Sequence, residues 1–122
     1  MYALSVTTDF ASAHFLRGYN GPCENLHGHT WKVEITLTAE ALNEIGLAMD
    51  FREIKEKLNR FIHHLDHVTL NDLPYFKENN TSTENLARYI YEEFSRQCSP
   101  CRLKQVRVWE SDSCSVTYSP DP

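Results

Sequence analysis

Basic charge is what this chain has least of. Its 122 residues carry 12 Lys and Arg against 17 Asp and Glu, a formal charge of −5. It therefore lacks the cationic excess that drives non-specific binding to nucleic acid or to an anionic membrane surface. Length is a second shortage. With 41% hydrophobic and 24% charged side chains, 122 residues suit one soluble unit, and residues 1–122 are expected to form a single domain. So short a chain has little material for a deep cleft of its own. Long apolar runs are missing, and Met1-Tyr2-Ala3-Leu4-Ser5-Val6 has no basic n-region. Neither a signal peptide nor a membrane-spanning helix is expected, and the expected location is cytoplasmic.

Cysteine is also too sparse for a disulfide scaffold. Cys23, Cys98, Cys101 and Cys114 are unevenly placed and are expected as free thiols in a reducing compartment. Cys98-Ser99-Pro100-Cys101 is one C-x-x-C without a second. A four-cysteine zinc site would have to recruit the isolated Cys23 and Cys114. A redox role lacks the strand-helix context such motifs have. No internal repeat or low-complexity tract is visible.

What is present is hydrophobic patterning. Trp31, Val33, Ile35 and Leu37 alternate with Lys32, Glu34 and Thr36, which predicts a strand over 30–38. A weaker alternation of Leu4, Val6 and Phe10 predicts a strand over 2–10, joined to the next by the turn-rich Arg17-Gly18-Tyr19-Asn20-Gly21-Pro22 as a long-looped antiparallel hairpin. Asp50 and Glu53 resemble a capping box ahead of Phe51, Ile54, Leu58, Phe61, Ile62 and Leu65, predicting a helix over 51–65. Thr81-Ser82-Thr83-Glu84 opens a second over 82–97, with Leu86, Ile90 and Phe94 on one stripe. The segment between the helices reads as loop. Leu103–Glu110 and Cys114–Tyr118 read as strands around a tight Ser111-Asp112-Ser113 turn. The order ββααββ, grouped rather than alternating, points to an α+β fold with two helices on one face of a four-stranded antiparallel sheet.

The chemistry-bearing residues gather around histidine. There are six, and His27-Gly28-His29 leads into the second strand. Spacing of i, i+2 turns both imidazoles to one face, about 6 to 7 Å apart at the backbone. His14 lies just past the end of the first strand, where an antiparallel partner brings it beside this pair. Three neutral imidazoles suit Zn²⁺ and leave its fourth position open, the pattern of a catalytic site. The plainer reading is strand-end histidines bonded to backbone, with His14 unrelated. Cys23, four residues before His27, reads as a base, a nucleophile, a fourth ligand or an ordinary semi-buried loop thiol. With a free pKa near ~8.5, only about 3% would be thiolate at pH 7, more beside a cation. Asp66 beside His67 can orient the ring. His63 and His64 read as solvated or capping residues. Glu110 shares parity with Val106 and Val108, so its carboxylate is expected on the apolar side. There it needs a partner such as two parallel N–H donors of a 2-amino-4-oxo-pyrimidine edge, unless it turns to solvent.

Phe10-Ala11-Ser12-Ala13-His14, Cys23-Glu24-Asn25-Leu26-His27-Gly28-His29, Met49-Asp50-Phe51, Leu65-Asp66-His67 with Leu70-Asn71, Thr81-Ser82-Thr83-Glu84-Asn85 and Val108-Trp109-Glu110 occur in order along nearly the whole sequence. Together they resemble the family of 6-pyruvoyl-tetrahydropterin and 6-carboxy-tetrahydropterin synthases. The resemblance implies a tunnelling (T-) fold and a zinc held by His14, His27 and His29. It further implies a cysteine base at Cys23, an Asp-His pair at Asp66 and His67, a pterin-anchoring carboxylate at Glu110, and pterin contacts from Ser82 and Thr83. It implies 7,8-dihydroneopterin triphosphate as substrate and a hexamer of two stacked trimers, in which Asp66 and His67 complete a neighbour's site.

The short C-x-x-x-H-G-H spacing is like the bacterial branch that forms 6-carboxy-tetrahydropterin for 7-deazaguanine synthesis, with release of acetaldehyde and triphosphate. One departure stands out: a branch that forms 6-hydroxymethyl-dihydropterin for folate synthesis places a glutamate three residues before H-G-H, and this sequence has both Cys23 and Glu24. That pairing resembles members serving both pathways. Arg17, Lys32 and Arg52 are triphosphate candidates by sequence proximity alone. The competing readings are 6-pyruvoyl-tetrahydropterin synthesis by triphosphate elimination, a non-catalytic zinc-stabilised module, and a dihydroneopterin aldolase-like T-fold enzyme, which shares the strand-end glutamate without the three histidines.

Overall fold

Alternation along the second strand becomes burial in the structure. Trp31, Val33, Ile35 and Leu37 are all buried, while Lys32, Glu34 and Thr36 between them are not. The computed structural model describes residues 1–122. Four strands, β1 (Tyr2–His14), β2 (His27–Ala39), β3 (Arg102–Ser111) and β4 (Cys114–Tyr118), pair in that order as one antiparallel sheet. One face is covered by α1 (Phe51–Ile62), α2 (Pro74–Glu78) and α3 (Thr83–Phe94). Helix α1 packs on β1 and α3 on β3 and β4, and the core lies between helices and sheet. No helix is long and apolar enough to cross a membrane.

Both N-terminal strands are longer than their hydrophobic patterns. The β1–β2 ladder continues from Phe10↔Trp31 through Ser12↔His29 to His14↔His27. His14 is thus the last residue of β1, not a residue beyond it. The polar Ser12 and His14 hid the extension, because they occupy inward positions where the alternation rule looks for apolar side chains. The two long helices match in place, each trimmed at its end to a 3₁₀ turn, His63–Leu65 after α1 and Ser95–Gln97 after α3. Asp50 caps α1 by accepting from the Arg52 N–H at 2.8 Å. The reciprocal half of a capping box is not made, since Glu53 pairs with Lys57 at 3.4 Å instead. Ser82 caps α3 through Asn85 N–H at 3.1 Å.

The segment between α1 and α3 is not plain loop. It holds a 3₁₀ turn at Leu70–Asp72 and the five-residue α2, which begins at Pro74. Proline suits a first helical position because its missing N–H would be unpaired there. Five residues are too few to show a helical period. Before α2, residues 66–69 dock on the free edge of β1: Ala13 N–H donates to Val68 O at 3.0 Å, and His67 N–H to Ala11 O. At the opposite end of the sheet, Phe51 on α1 lines one recess with Tyr2 and Leu4 of β1. Arg52 therefore sits at the end away from His14 and is no candidate for a ligand held near the histidines.

Candidate active site

Register builds the centre of the site. His14 and His27 face each other across the β1–β2 ladder, and His29 lies one inward position further along β2. Ring centroids are 4.5 Å apart for His14 and His27, 4.8 Å for His27 and His29, and 5.2 Å for His14 and His29. One ligand atom from each lies within 4.8 Å of the others. Trp31 forms the floor, edge-on to His14 at 4.9 Å and to His29 at 5.1 Å, its indole N–H donating to Ser12 O at 3.2 Å.

Hydrogen bonds set the tautomers. His14 Nδ1 lies 2.8 Å from Thr81 O, and His27 Nδ1 lies 2.7 Å from Asn25 O. A carbonyl can only accept, so each Nδ1 carries the proton and each Nε2 of the neutral ring carries a lone pair. His14 Nε2 and His29 Nε2 are buried without any hydrogen-bond partner. Leaving such groups unpaired is costly, and a cation among them removes the cost. Burial also pushes His14 and His29 below the usual imidazole value. For His14 the Thr81 carbonyl, and for His29 the Glu110 carboxylate, offset part of that effect. Neutral imidazoles with free lone pairs are what a divalent metal requires, so the three residues fit one.

A pH dependence follows. In the metal-free protein both histidines take up protons below their ordinary 6.5, whereas in the unfolded state they do so near 6.5. The unfolded state then binds more protons between the lowered values and 6.5, so stability rises with pH through that window and these groups add no slope above it. Urea unfolding in chelator at pH 5, 6, 7 and 8 is expected to show rising midpoints that level off above pH 7.

Glu110 faces the helical side, as parity predicts. Thr83 Oγ1 donates to its Oε2 at 3.1 Å, and its Oε1 stands 3.9 Å from His29 Nε2, beyond hydrogen-bond range. The carboxylate keeps free acceptor capacity and opens into a recess of about 110 Å³ lined by Thr83, Glu84, Cys114, Ser115 and Val116. Cys23 lies on a 3₁₀ turn at Pro22–Glu24, half-buried, with Glu24 beside it exposed. The turn is tied to the segment beyond His14 by Leu16 N–H donating to Cys23 O at 2.8 Å. Cys23 is not among the converging metal-ligating groups.

Asp66 and His67 are brought together on the outer edge of β1, where His67 lines an open hollow of about 610 Å³ with Ser12, Gly28 and His29. Asp66 Oδ1 accepts from Ala11 N–H at 2.9 Å and lies 3.0 Å from His67 Nδ1. The Ala11 N–H, ahead of the His67 contacts, holds the Asp66 carboxyl below its ordinary range. His67 is left-handed at φ 57, a conformation unusual for a residue with a Cβ. Its imidazole is 82% exposed.

The remaining candidates separate. Lys32 projects from the outer face of the sheet and stacks on Trp109 at 4.7 Å, with Arg107 on the same ring at 4.4 Å. Arg17 sits in the loop after β1. His64 is a helix-end residue, bonded to Phe61 O and to Tyr89 OH. Cys98 and Cys101 are buried core thiols donating to Phe94 O and Ala48 O, and burial pushes Cys98 up to about 11. They join neither Cys23 nor the exposed Cys114 in a metal-ligating group. Sequence reasoning missed Asn71, Asn80 and Thr81 as structural parts of the site.

This sheet, helix arrangement and histidine cluster define a tunnelling-fold protein. The structure of Caenorhabditis elegans 6-pyruvoyl tetrahydropterin synthase superposes with a TM-score of 0.87 at 25% identity, covering 97% of this chain and 94% of that one. The model of the 6-pyruvoyl tetrahydropterin synthase family matches residues 3–121, and the chain belongs to that family. It is 34% identical to the Homo sapiens 6-pyruvoyl tetrahydrobiopterin synthase over 102 residues, which span 80% of this chain and 70% of the relative. It is 24% identical to the Haemophilus influenzae 6-carboxy-5,6,7,8-tetrahydropterin synthase over 97% of this chain and 99% of that one. A fold neighbour at TM-score 0.73 and 23% identity is the Plasmodium vivax 6-pyruvoyltetrahydropterin synthase, solved as variants of a catalytic glutamate.

Proposed function

We propose that the protein is a zinc-dependent lyase that converts 7,8-dihydroneopterin triphosphate and one water to 6-carboxy-5,6,7,8-tetrahydropterin, releasing acetaldehyde and triphosphate. The observation that carries this reading is the pair of buried, unpartnered Nε2 atoms converging with His27 beside a carboxylate that has acceptor capacity to spare. A non-catalytic zinc module has no use for that carboxylate, and an aldolase-like relative has no use for the three histidines.

His14, His27 and His29 hold the zinc, which when bound supplies Lewis-acid polarisation of the oxygens on the substrate's side chain. Glu110 accepts the two parallel N–H groups of the pterin edge, with Thr83 fixing one of its oxygens. Ser82 accepts the Asn85 N–H through the same Oγ whose hydroxyl proton stays free to meet the ring. Cys23, as thiolate, takes a carbon-bound proton adjacent to those oxygens. His67, oriented through Nδ1 by Asp66, moves protons at the oxygens themselves. Glu24 adjoins Cys23 and is the candidate base for a second product, 6-hydroxymethyl-7,8-dihydropterin. The Plasmodium vivax protein of this fold has a glutamate named as a catalytic residue.

Asp66 and His67 serve a neighbouring subunit's site in a homo-hexamer. Their exposure on the sheet edge supports this, as does a Glu110 recess of about 110 Å³, well below the roughly 300 to 1,000 Å³ of ordinary ligand pockets. Mixing Cys23→Ala subunits with His67→Ala subunits, each inactive alone, is expected to restore roughly a quarter of wild-type turnover through interfaces that carry both intact residues. Mixed oligomers without recovery, or an active monomer, would contradict shared sites. Separation of the pterins formed by the zinc-loaded protein tests the reaction. Carboxy product without any hydroxymethyl product removes the role of Glu24, and 6-pyruvoyl product would replace the 6-carboxy assignment with simple triphosphate elimination.

A further inference from the structure

After His14 the backbone leaves β1 and has no strand beside it, yet both backbone groups of Phe15 and of Arg17, which begins a turn, are hydrogen-bonded. Two side-chain amides account for this. Asn71 Oδ1 accepts the Phe15 N–H at 3.0 Å while its Nδ2 donates to Phe15 O at 3.0 Å. Asn80 repeats the pattern on Arg17, accepting its N–H at 3.0 Å and donating to its carbonyl at 2.9 Å. A carboxamide carries donor and acceptor in one plane as a peptide does, so each asparagine replaces one residue of a missing strand. Alternate residues of an extended backbone bond to alternate sides. Leu16, between the two clamped residues, therefore points its N–H the other way, to Cys23 O at 2.8 Å.

We propose that Asn71 and Asn80 are positioning residues that fix the Cys23 turn relative to the three histidines. The link is short at both ends. The Leu16–Cys23 hydrogen bond is the one backbone tie between the Cys23 turn and the segment that follows His14; the other two in the loop, Glu24 to Gly21 and Asn25 to Pro22, are internal to the turn. Thr81 joins clamp and histidine directly, donating its hydroxyl to Phe15 O at 2.9 Å and accepting from His14 Nδ1 at 2.8 Å. Asn80 is held in turn by Asn85 of α3, whose Nδ2 donates to Asn80 O at 3.0 Å. The start of α3, the end of β1 and the Cys23 turn are thus one hydrogen-bonded unit. Asn71 and Thr81 are its buried part and Asn80 its more exposed part.

The inference rests on the base role proposed for Cys23, and its test has a readout that does not. Asn71→Ala strands buried groups of Phe15 and risks the fold, so the informative variant is Asn80→Ala, which frees the Arg17 backbone to water and also releases the Thr81 N–H that Asn80 Oδ1 accepts at 3.2 Å. In the zinc-loaded, full-length protein kcat is expected to fall roughly tenfold, as a displacement of under an ångström does at a reacting group, with KM within about twofold. Bound zinc stays at the wild-type value, and the thermal midpoint falls by only a few degrees. Iodoacetamide labelling of the Cys23 peptide, followed by mass spectrometry at one pH, is expected to quicken several-fold. Unchanged kcat and unchanged labelling would overturn the proposal, as would a loss of kcat that merely tracks lost zinc or lost fold. A wild-type protein without pterin turnover, but with labelling that still quickens in Asn80→Ala, would remove the base role and leave the positioning in place.

Discussion

Cys23→Ala protein is expected to fold, to bind metal as the wild type does, and to form 6-carboxy-tetrahydropterin about 10²- to 10⁴-fold more slowly, the range for removal of a general base. Each part of that expectation has its own structural ground. The link from Cys23 to the rest of the molecule is its backbone carbonyl, which alanine retains. Its sulfur makes no hydrogen bond, and the converging ligand atoms are those of the three histidines. The thiol is therefore expendable for structure and metal alike, so a change in turnover reads its chemical role directly. If Glu24 acts as a second base, the variant keeps a residual hydroxymethyl product that disappears in Cys23→Ala/Glu24→Gln. Unimpaired carboxy product from Cys23→Ala would assign the base elsewhere.

His27→Ala has the opposite profile: it loses the metal first and the reaction with it. Among the three histidines His27 is the one whose removal least disturbs the core, being half-buried at the start of β2, where its Nδ1 bonds only to Asn25 O two residues away. His14, by contrast, is buried and bonded to Thr81. Loss of a residue that merely orients a metal ligand already costs about 10- to 100-fold in affinity, so loss of the ligand itself is expected to cost more than ~100-fold. The stabilisation that zinc gives by mass action, about 2.7 kcal/mol at a hundred times its dissociation constant, should then vanish from the unfolding curve. Chelator competition and calorimetry with and without zinc measure both effects. A His27→Ala protein that holds zinc as tightly as the wild type would show that the three imidazoles do not act together.

Periodicity made most of this architecture legible. The β2 alternation, the stripes of α1 and α3 and the parity of Glu110 depend on local spacing, and all reappear as burial or facing direction except Phe51, which opens the α1 stripe but is 53% exposed. The histidine cluster was legible because i, i+2 spacing on a strand and an antiparallel hairpin together leave little freedom in where His14, His27 and His29 meet. What escaped depends on pairing between distant segments. Nothing near Asn71 or Asn80 in sequence marks them as partners of Phe15 and Arg17, more than fifty residues away. Arg52 looked close to the motifs in sequence and lies at the other end of the sheet. Helix α2 was lost to its own brevity. The inward Ser12 and His14 masked the end of β1 because a polar side chain on a buried position reads, from sequence, as the end of a strand.

The deficit of basic charge also takes on a local meaning. Under the proposed function, a protein at −5 must hold its triphosphate through a field confined to the site, with Arg17, in the loop after β1, the one of the three cation candidates that the structure does not place elsewhere. The measurement closest to the proposed chemistry is a zinc titration of the metal-free protein, with product formation from 7,8-dihydroneopterin triphosphate followed at each step. Carboxy-tetrahydropterin formation is expected to rise in proportion to bound zinc and to level off at one equivalent per subunit. Full turnover without metal, or one zinc per subunit with no pterin consumed, would contradict it.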